Sequence, residues 1–123
     1  MTFEEYQEML SKIDFNDGPC PVENMFLLLS GKWNLRVLFE LTKADTYRFG
    51  KLKNQIHGIT NTMLTATLKK LETEGLVTRV QFNEIPPHVE YSLSTKGKDL
   101  YPIFVDMLNW IVKYKLSFIG DIG

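Results

Sequence analysis

The chain has little of what disulfide-bonded, metal-binding or membrane proteins need. A single cysteine among 123 residues cannot form a disulfide within the chain, and with two histidines it supplies no set of ligands typical of a structural zinc site. No apolar run approaches the roughly 20 residues of a membrane-spanning helix, and no secretory leader pattern is present. We therefore expect a cytoplasmic protein with no membrane, metal or cofactor partner.

Net charge is also low, but it is unevenly placed. A formal charge of −1 argues against a general polyanion binder. Residues 1–24 nevertheless carry six acids and one base, whereas residues 43–83 carry seven bases and three acids. Such a local basic segment is typical of a small DNA-reading domain, although a solvated basic surface would look the same.

The basic segment contains a pattern that predicts an exposed reading helix. Leu64, Leu68 and Leu71 recur at helical spacing, Thr60 is suited to the N-cap, and Gly75 is suited to the position after the helix. The opposite face is short, polar or cationic: Asn61, Thr62, Thr65, Ala66, Lys69 and Lys70. Amide, hydroxyl and methyl groups on such a face can contact base edges in a major groove.

The elements on either side of this helix complete a known arrangement. Phe49, Leu52 and Ile56 predict a short preceding helix that ends at a turn containing Gly58, which together make a helix-turn-helix. Residues 77–82 and 89–93 predict two strands around the loop Pro86-Pro87-His88. We interpret this hairpin as a DNA-binding wing; the alternative is a plain hairpin that proline protects against edge pairing.

Flanking segments predict further helices. Apolar spacing predicts helices over residues 3–13, 21–29 and 33–42, with Trp33 anchoring the core. A turn is expected at Asn16-Asp17-Gly18-Pro19. Residues 95–119 predict one long helix, capped by Thr95 and kinked at Pro102. This helix is apolar on two sides, so we expect a partner subunit to cover the second side: Tyr101, Val105, Leu108 and Val112.

The predicted fold is mainly α with a small β-hairpin wing (α+β): a winged helix-turn-helix with flanking N- and C-terminal dimerisation helices. We expect one domain over residues 1–123. Within it, 1–19 form an N-terminal extension, 20–93 the winged-helix core, and 95–119 the C-terminal dimerisation helix.

From residue 20 to about residue 114 the chain resembles the HxlR-type regulators, bacterial winged-helix proteins related to the MarR-like regulators. The resemblance rests on these segments, in order: Cys20-Pro21-Val22-Glu23, Gly31-Lys32-Trp33, Arg48-Phe49-Gly50-Lys51-Leu52, Gly58-Ile59-Thr60, Leu64-Thr65, Leu68-Lys69-Lys70-Leu71-Glu72, Gly75-Leu76-Val77 and Pro86-Pro87-His88-Val89-Glu90-Tyr91-Ser92-Leu93, with Thr95, Gly97 and Trp110. It implies a cytoplasmic homodimer that binds inverted-repeat operators and dimerises through its terminal helices. Some such proteins sense oxidants or electrophiles at the position matching Cys20.

Particular residues are predicted to contact DNA. Base edges should face Asn61, Thr62, Thr65, Ala66 and Lys69. Phosphate or minor-groove contacts are expected from Arg48, Lys51, Lys53, Lys70, Arg79 and the wing residues Pro87 and His88.

Cys20 is open to two interpretations. It is either a small packing residue or a redox sensor. The positive end of a helix beginning at Pro21 favours the thiolate, whereas Asp17 and Glu23 disfavour it. A small-molecule or oxidant inducer is compatible with the sequence.

Other classes of function fit the sequence less well. Two histidines, one cysteine and scattered acids do not form the clusters that enzymes need, so we expect no enzyme activity. A winged-helix protein–protein module without DNA binding is the alternative, and the basic segment argues against it.

Overall fold

The structure is a computed structural model that describes residues 1–14, 18 and 20–115. These residues fall into two compact units, one that ends at Gly31 and one that begins at Lys32. The single domain expected over residues 1–123 stays a prediction. Within the described ranges, none of the helices has both the length and the apolar character that crossing a membrane requires.

The first unit holds two helices that bury none of their residues. Helix α1 (Phe3–Ser11) is capped by Thr2, whose hydroxyl accepts a hydrogen bond from the Glu5 N–H at 3.1 Å. Helix α2 (Pro21–Leu29) begins at a proline, where the fixed φ angle and missing N–H cost least. The predicted turn at 16–19 lies outside the described residues except for Gly18.

The second unit holds the remaining elements. In chain order they are α3 (Asn34–Leu41), β1 (Tyr47–Arg48), α4 (Phe49–Gln55), α5 (Asn61–Thr73), β2 (Val77–Phe82), β3 (His88–Leu93), α6 (Thr95–Lys98) and α7 (Tyr101–Lys113). The strands form an antiparallel sheet in the order β1-β3-β2. The predicted mainly α architecture with a hairpin wing is confirmed, with β1 as an addition that the sequence did not indicate.

The core of this unit is built from the apolar stripes of its helices. The buried apolar side chains are Val37, Leu38, Leu41, Tyr47, Leu52, Ile56, Ile59, Leu64, Leu68, Leu71, Leu76, Val77, Leu93 and Phe104. Helices α3, α4 and α5 supply half of them, and the inward face of β2 and β3 supplies Val77 and Leu93. Burying each large aliphatic side chain contributes on the order of 1.5–3 kcal/mol. Helix α5 is therefore anchored in the core along its apolar face.

The predicted continuous C-terminal helix is wrong. The chain forms α6, leaves the helix at Asp99, and starts α7 at Tyr101. Ser94, not Thr95, is the N-cap of α6, since its hydroxyl accepts from the Gly97 N–H at 3.0 Å. Pro102 lies in the first turn of α7, where proline is tolerated, instead of kinking a helix interior. The end of the predicted helix, residues 116–119, lies outside the described residues.

Close packing fixes α6 in place. A Cβ added to Gly97 would overlap the backbone carbonyl of Leu76, which already accepts a hydrogen bond from the Ser94 N–H at 3.0 Å. Only glycine allows the helix to approach the start of β2 so closely. A short, closely packed helix therefore separates the wing from α7.

A buried carboxylate joins three elements of this unit. The side chain of Glu40 on α3 is fully buried and accepts three hydrogen bonds. They come from Arg36 Nη1 at 2.9 Å, Lys43 Nζ at 3.2 Å and the Tyr47 hydroxyl on β1 at 2.9 Å. The other Arg36 nitrogen, Nη2, donates to the carbonyl of Gln55 at the end of α4, at 3.0 Å. The network therefore connects α3, β1 and α4.

The surroundings of Glu40 decide its ionisation. Burial raises the pKa of this carboxyl, but hydrogen bonds from Arg36, Tyr47 and Lys43, with the charge of Lys43, outweigh it and hold the pKa below its ordinary value of 4.5. Burial and the neighbouring Glu40 carboxylate raise the pKa of Tyr47. Glu40 is thus an anion at neutral pH, and Tyr47 is a neutral donor.

Glu40→Gln should destabilise the protein at pH 7 by about 1–3 kcal/mol, because charged hydrogen bonds are removed. Because the pKa of Glu40 is lowered, its ionised side chain stabilises the folded state fully above about pH 4.5. This stabilisation disappears as the pH falls through the pKa of Glu40 in the folded state. Chemical denaturation from pH 7 to pH 3 should therefore show the gap between variant and wild type closing on acidification. The control is Glu8→Gln, which removes the exposed Glu8–Lys12 pair and should change stability little. Equal effects of both variants would contradict a special role for Glu40.

Candidate nucleic-acid interface

Helix α5 presents the predicted reading face to solvent. Thr60 caps it, with its hydroxyl accepting from the Met63 N–H at 3.1 Å, and Gly75 follows it at φ +78°. Both predicted ends are confirmed. All six residues of the polar face are exposed: Asn61, Thr62, Thr65, Ala66, Lys69 and Lys70. The opposite face is buried through Leu64, Leu68 and Leu71. The helix is therefore anchored on one side and free to contact a ligand on the other.

The turn between α4 and α5 is tight. Gly58 has φ +84°, a left-handed conformation that favours glycine, and Ile59 is buried directly after it. The indole of Trp33 lies next to this turn, since its Cη2 would be 3.9 Å from a Cβ at Gly58. Trp33 is half-buried and precedes α3 as its N-cap residue. Trp33 was predicted to anchor the core. The structure places it at the edge of the core, against the turn between α4 and α5.

The basic residues of α4 lie close to β1. Lys51 Nζ is 5.9 Å from the centre of the Tyr47 ring, and Arg48 occupies the N-cap position of α4. Arg48 and Lys51 are exposed, and Lys53 is half-buried. The Tyr47 ring beside Lys51 is itself held by its hydrogen bond to Glu40.

The sheet separates two of the predicted phosphate contacts. Tyr91 on β3 is paired with Arg79 on one neighbouring strand and with Tyr47 on the other. Arg48 is paired with Glu90, the residue that precedes Tyr91 on β3. Directly paired residues point to the same face, and successive residues alternate. Arg48 and Arg79 therefore lie on opposite faces of the sheet, and a ligand that contacts both must reach around the wing.

The wing carries a cluster of groups around His88. The imidazole stacks on Phe82, with ring centres 4.7 Å apart. Its Nδ1 is 3.4 Å from a Glu84 oxygen and its Nε2 is 3.6 Å from a Glu90 oxygen. The Thr46 hydroxyl donates to the other Glu90 oxygen at 3.3 Å. With 15% of its side chain exposed, His88 is less accessible than Pro87, which is exposed at the loop.

Sequence reasoning missed these wing carboxylates and the Glu40 network. The spacing of Arg36 and Glu40, four residues apart on one helix, was a signal for an ion pair. No local pattern could identify the Tyr47 hydroxyl as the third donor, because that contact depends on the fold. Glu84 and Glu90 could have been noticed as the only acids in an otherwise neutral stretch, 83–90.

Helix α7 exposes more apolar surface than predicted. Phe104 is its one buried residue among those described, packed edge-on against Phe39 with ring centres 5.7 Å apart. The predicted dimer stripe is exposed at Tyr101, Val105 and Leu108 and half-buried at Val112. A second exposed stripe lies on the other flank of the helix: Ile103, Met107, Trp110 and Tyr114.

Cys20 is the N-cap residue of α2, as the proline after it predicted. It is half-buried, and its carbonyl accepts from the Asn24 N–H at 3.0 Å. Glu23 lies in the first turn of the same helix, and Asp17 lies outside the described residues. No group of three or more potential ligand residues in the described ranges could hold a metal ion.

Comparison with known proteins gives a consistent assignment. Residues 28–117 match the profile of the HxlR-like helix-turn-helix family. The uncharacterised HTH-type transcriptional regulator YdzF of Bacillus subtilis (strain 168) is 44% identical over 91 residues, which cover 74% of this chain and 84% of YdzF. Among solved structures, a protein assigned to the MarR family of transcriptional regulators from Porphyromonas gingivalis W83 is 36% identical. That match covers 86% of this chain and 97% of the other, with a TM-score of 0.68.

The oxidised form of the redox regulator HypR is also similar. It is 35% identical, and the match covers 76% of this chain and 96% of HypR, with a TM-score of 0.68. The family profile spans most of the chain, and it matches the elements that carry the helix-turn-helix and the wing. The chain therefore belongs to the HxlR-like helix-turn-helix family of DNA-binding transcriptional regulators.

Proposed function

We propose that the protein regulates transcription in the cytoplasm by binding, as a homodimer, to inverted-repeat operator DNA. The observation that supports this most is the exposed face of α5, which has no carboxylate from Asn61 to Lys70 and directly follows a tight Gly58 turn. Anionic DNA would be repelled by acids on such a face, whereas amides, hydroxyls and ammonium groups can bond to it. The alternative function, a winged-helix protein–protein module that does not bind DNA, is not supported by this acid-free face.

In this proposal α5 lies in the major groove. Asn61, Thr62, Thr65, Ala66 and Lys69 contact base edges, with the asparagine able to bond adenine through two hydrogen bonds. The phosphate groups of the DNA are contacted by Arg48, Lys51, Lys53, Lys70 and Arg79. The wing places Pro87 and His88 next to the DNA backbone. The carboxylates beside His88 weaken its own attraction for phosphate, so we assign it a smaller share than Arg48 or Lys51.

Helix α7 would form the dimer interface. Exposed apolar stripes are uncommon on monomers, and two-fold symmetry suits the two half-sites of an inverted repeat. The stripe that we propose consists of Tyr101, Val105, Leu108 and Val112, with the N-terminal helix contributing. The apolar residues of α1 support that contribution, because Phe3, Tyr6 and Met9 are all exposed.

Cys20 would sense oxidants or electrophiles. It is only partly buried and lies at the N-terminal end of α2. The likeness to HypR, a redox regulator, adds to this support. Oxidation to a sulfenate, or a disulfide with a low-molecular-weight thiol or with Cys20 of a second subunit, would disturb the start of α2.

Two variants separate base reading from phosphate contact. Asn61→Ala should reduce the preference for operator over random DNA by ~1–3 kcal/mol for each base that the side chain no longer reads. Lys51→Ala should weaken binding to all sequences alike and lower the slope of log affinity against log salt by about one unit. Electrophoretic shift titrations at several salt concentrations measure both effects. If both variants bound the operator like wild type, the assignment of α5 and α4 would be wrong.

A charge on the proposed dimer stripe should dissociate the dimer. Val105→Lys places an ammonium group in an apolar contact, so light scattering should report a monomer at concentrations where the wild type is a dimer. Ile103→Lys, on the other flank of α7, is the matched control because its side chain is similarly exposed. A dimer that survives Val105→Lys but dissociates with Ile103→Lys would reassign the interface to the other flank.

Oxidation should change operator affinity through Cys20. We expect diamide or a quinone to alter the affinity of the wild type and to leave Cys20→Ser unchanged, in operator titrations with and without reductant. An oxidant effect that persists in Cys20→Ser would place sensing elsewhere. No effect in the wild type would leave Cys20 as a packing residue.

A further inference from the structure

The wing ends in an apolar tip that the contacts proposed so far do not use. This tip is the loop between β2 and β3, residues 83–87, which reads Asn-Glu-Ile-Pro-Pro and is exposed at every position. Ile85 has a relative exposure of 101%, the highest among the large apolar residues in the described ranges. Burial of such a side chain is favourable, so a partner that covered Ile85 would gain free energy.

The charged groups beside the tip lie against one another. Glu84 is the one charged residue of the loop, and its carboxylate is 3.4 Å from Nδ1 of His88. The other nitrogen of the imidazole, Nε2, is 3.6 Å from a Glu90 oxygen. Both carboxylates therefore have a partner on the wing itself. The exposed part of the tip that has no such partner is apolar and consists of Ile85, Pro86 and Pro87.

The tip is held at a fixed distance from α5. Phe82 and His88 pair directly across the two strands, and their rings stack with planes 12° apart, which closes the hairpin immediately before the tip. Strand β2 begins soon after α5 ends, and its six residues extend for about 17 Å. Proline restricts φ, so Pro86 and Pro87 lose little entropy when the loop is ordered. The tip therefore reaches a part of the DNA that α5 does not cover.

Two exposed arginines lie behind the tip on opposite faces of the sheet. Strand pairing puts Arg79 on one face and Arg48 on the other. The minor groove of DNA is bordered by two phosphate backbones, and the edges of the bases form its floor. A wing that points into this groove has one arginine towards each backbone and its apolar tip towards the bases. This charge pattern fits DNA better than it fits an apolar protein surface.

We propose that Ile85 is an apolar wedge that enters the minor groove, partly unstacks one base step and bends the DNA. Apolar side chains inserted in this way kink a duplex by ~20–90° towards the major groove. Pyrimidine–purine steps such as TA and CA unstack most easily, so the wedge creates a preference for such a step at a position that α5 does not read. This inference rests on the proposed function, because it requires the protein to bind DNA.

The bend is the direct test. The probe is the short duplex that the full wild-type chain selects from a random-sequence pool, with a donor dye at one end and an acceptor dye at the other. Energy transfer should report a bend of ~20–90° when the wild type binds. Ile85→Ser should bind the same duplex and leave it straight. Because Ile85 is fully exposed, this variant keeps the core intact, and Ile85→Leu should retain the bend.

A second residue of the wing provides the matched control. Val80 is an exposed β-branched residue within β2, away from the tip, so Val80→Ser should bend the duplex like wild type. The adenine analogue 2-aminopurine fluoresces more strongly when it is unstacked. Placed at the selected pyrimidine–purine step, it should brighten with wild type and Ile85→Leu but not with Ile85→Ser. A straight duplex on the wild type, a bend that Ile85→Ser keeps, or a bend that Val80→Ser loses equally would overturn the wedge.

Salt dependence separates a wedge from a phosphate contact. Ile85→Ser removes no charge, so it should leave the slope of log affinity against log salt unchanged, whereas Arg79→Ala should lower that slope by about one unit. Equal changes of slope in the two variants would contradict an apolar role for Ile85. If the wild type selected no duplex from the pool, the proposed function would fail and the wedge with it. A duplex that is bound but straight would overturn the wedge alone.

Discussion

The buried carboxylate of Glu40 is the interaction on which the arrangement of the second unit depends. An ionised group inside a core is costly unless several donors surround it, and here Arg36, Lys43 and Tyr47 meet that need. Satisfying the carboxylate fixes where α3 lies relative to β1. Through the second nitrogen of Arg36, it also fixes the end of α4. Apolar packing alone would leave these elements freer to slide, because it has no direction.

The recognition helix was readable from sequence because its signals are local. Leu64, Leu68 and Leu71 define the buried stripe, and Thr60 and Gly75 mark the two ends by side-chain and backbone chemistry that acts within a few residues. The wing strands were readable for the same reason, since alternation and β-branched side chains operate over short distances. Exposure of the polar face then follows from burial of the opposite one.

The features that the sequence did not reveal depend on contacts between distant residues. Strand β1 has two residues and exists because Tyr47 and Arg48 pair with Tyr91 and Glu90, more than forty positions later. The break before α7 required knowing that Gly97 must approach the Leu76 carbonyl. The pairing of His88 with Glu84 and Glu90 depends on how the hairpin closes, so the sequence alone suggested only a DNA contact at His88.

The short strand β1 has a mechanical consequence. It lies on one edge of the sheet, beside β3, and its last residue, Arg48, is followed at once by α4 at Phe49. No connecting loop separates the base of the wing from the first helix of the helix-turn-helix. A tilt of the wing is therefore passed on to α4 as a rotation at its first turn. The distance between the wing and α5 is accordingly built into the protein itself.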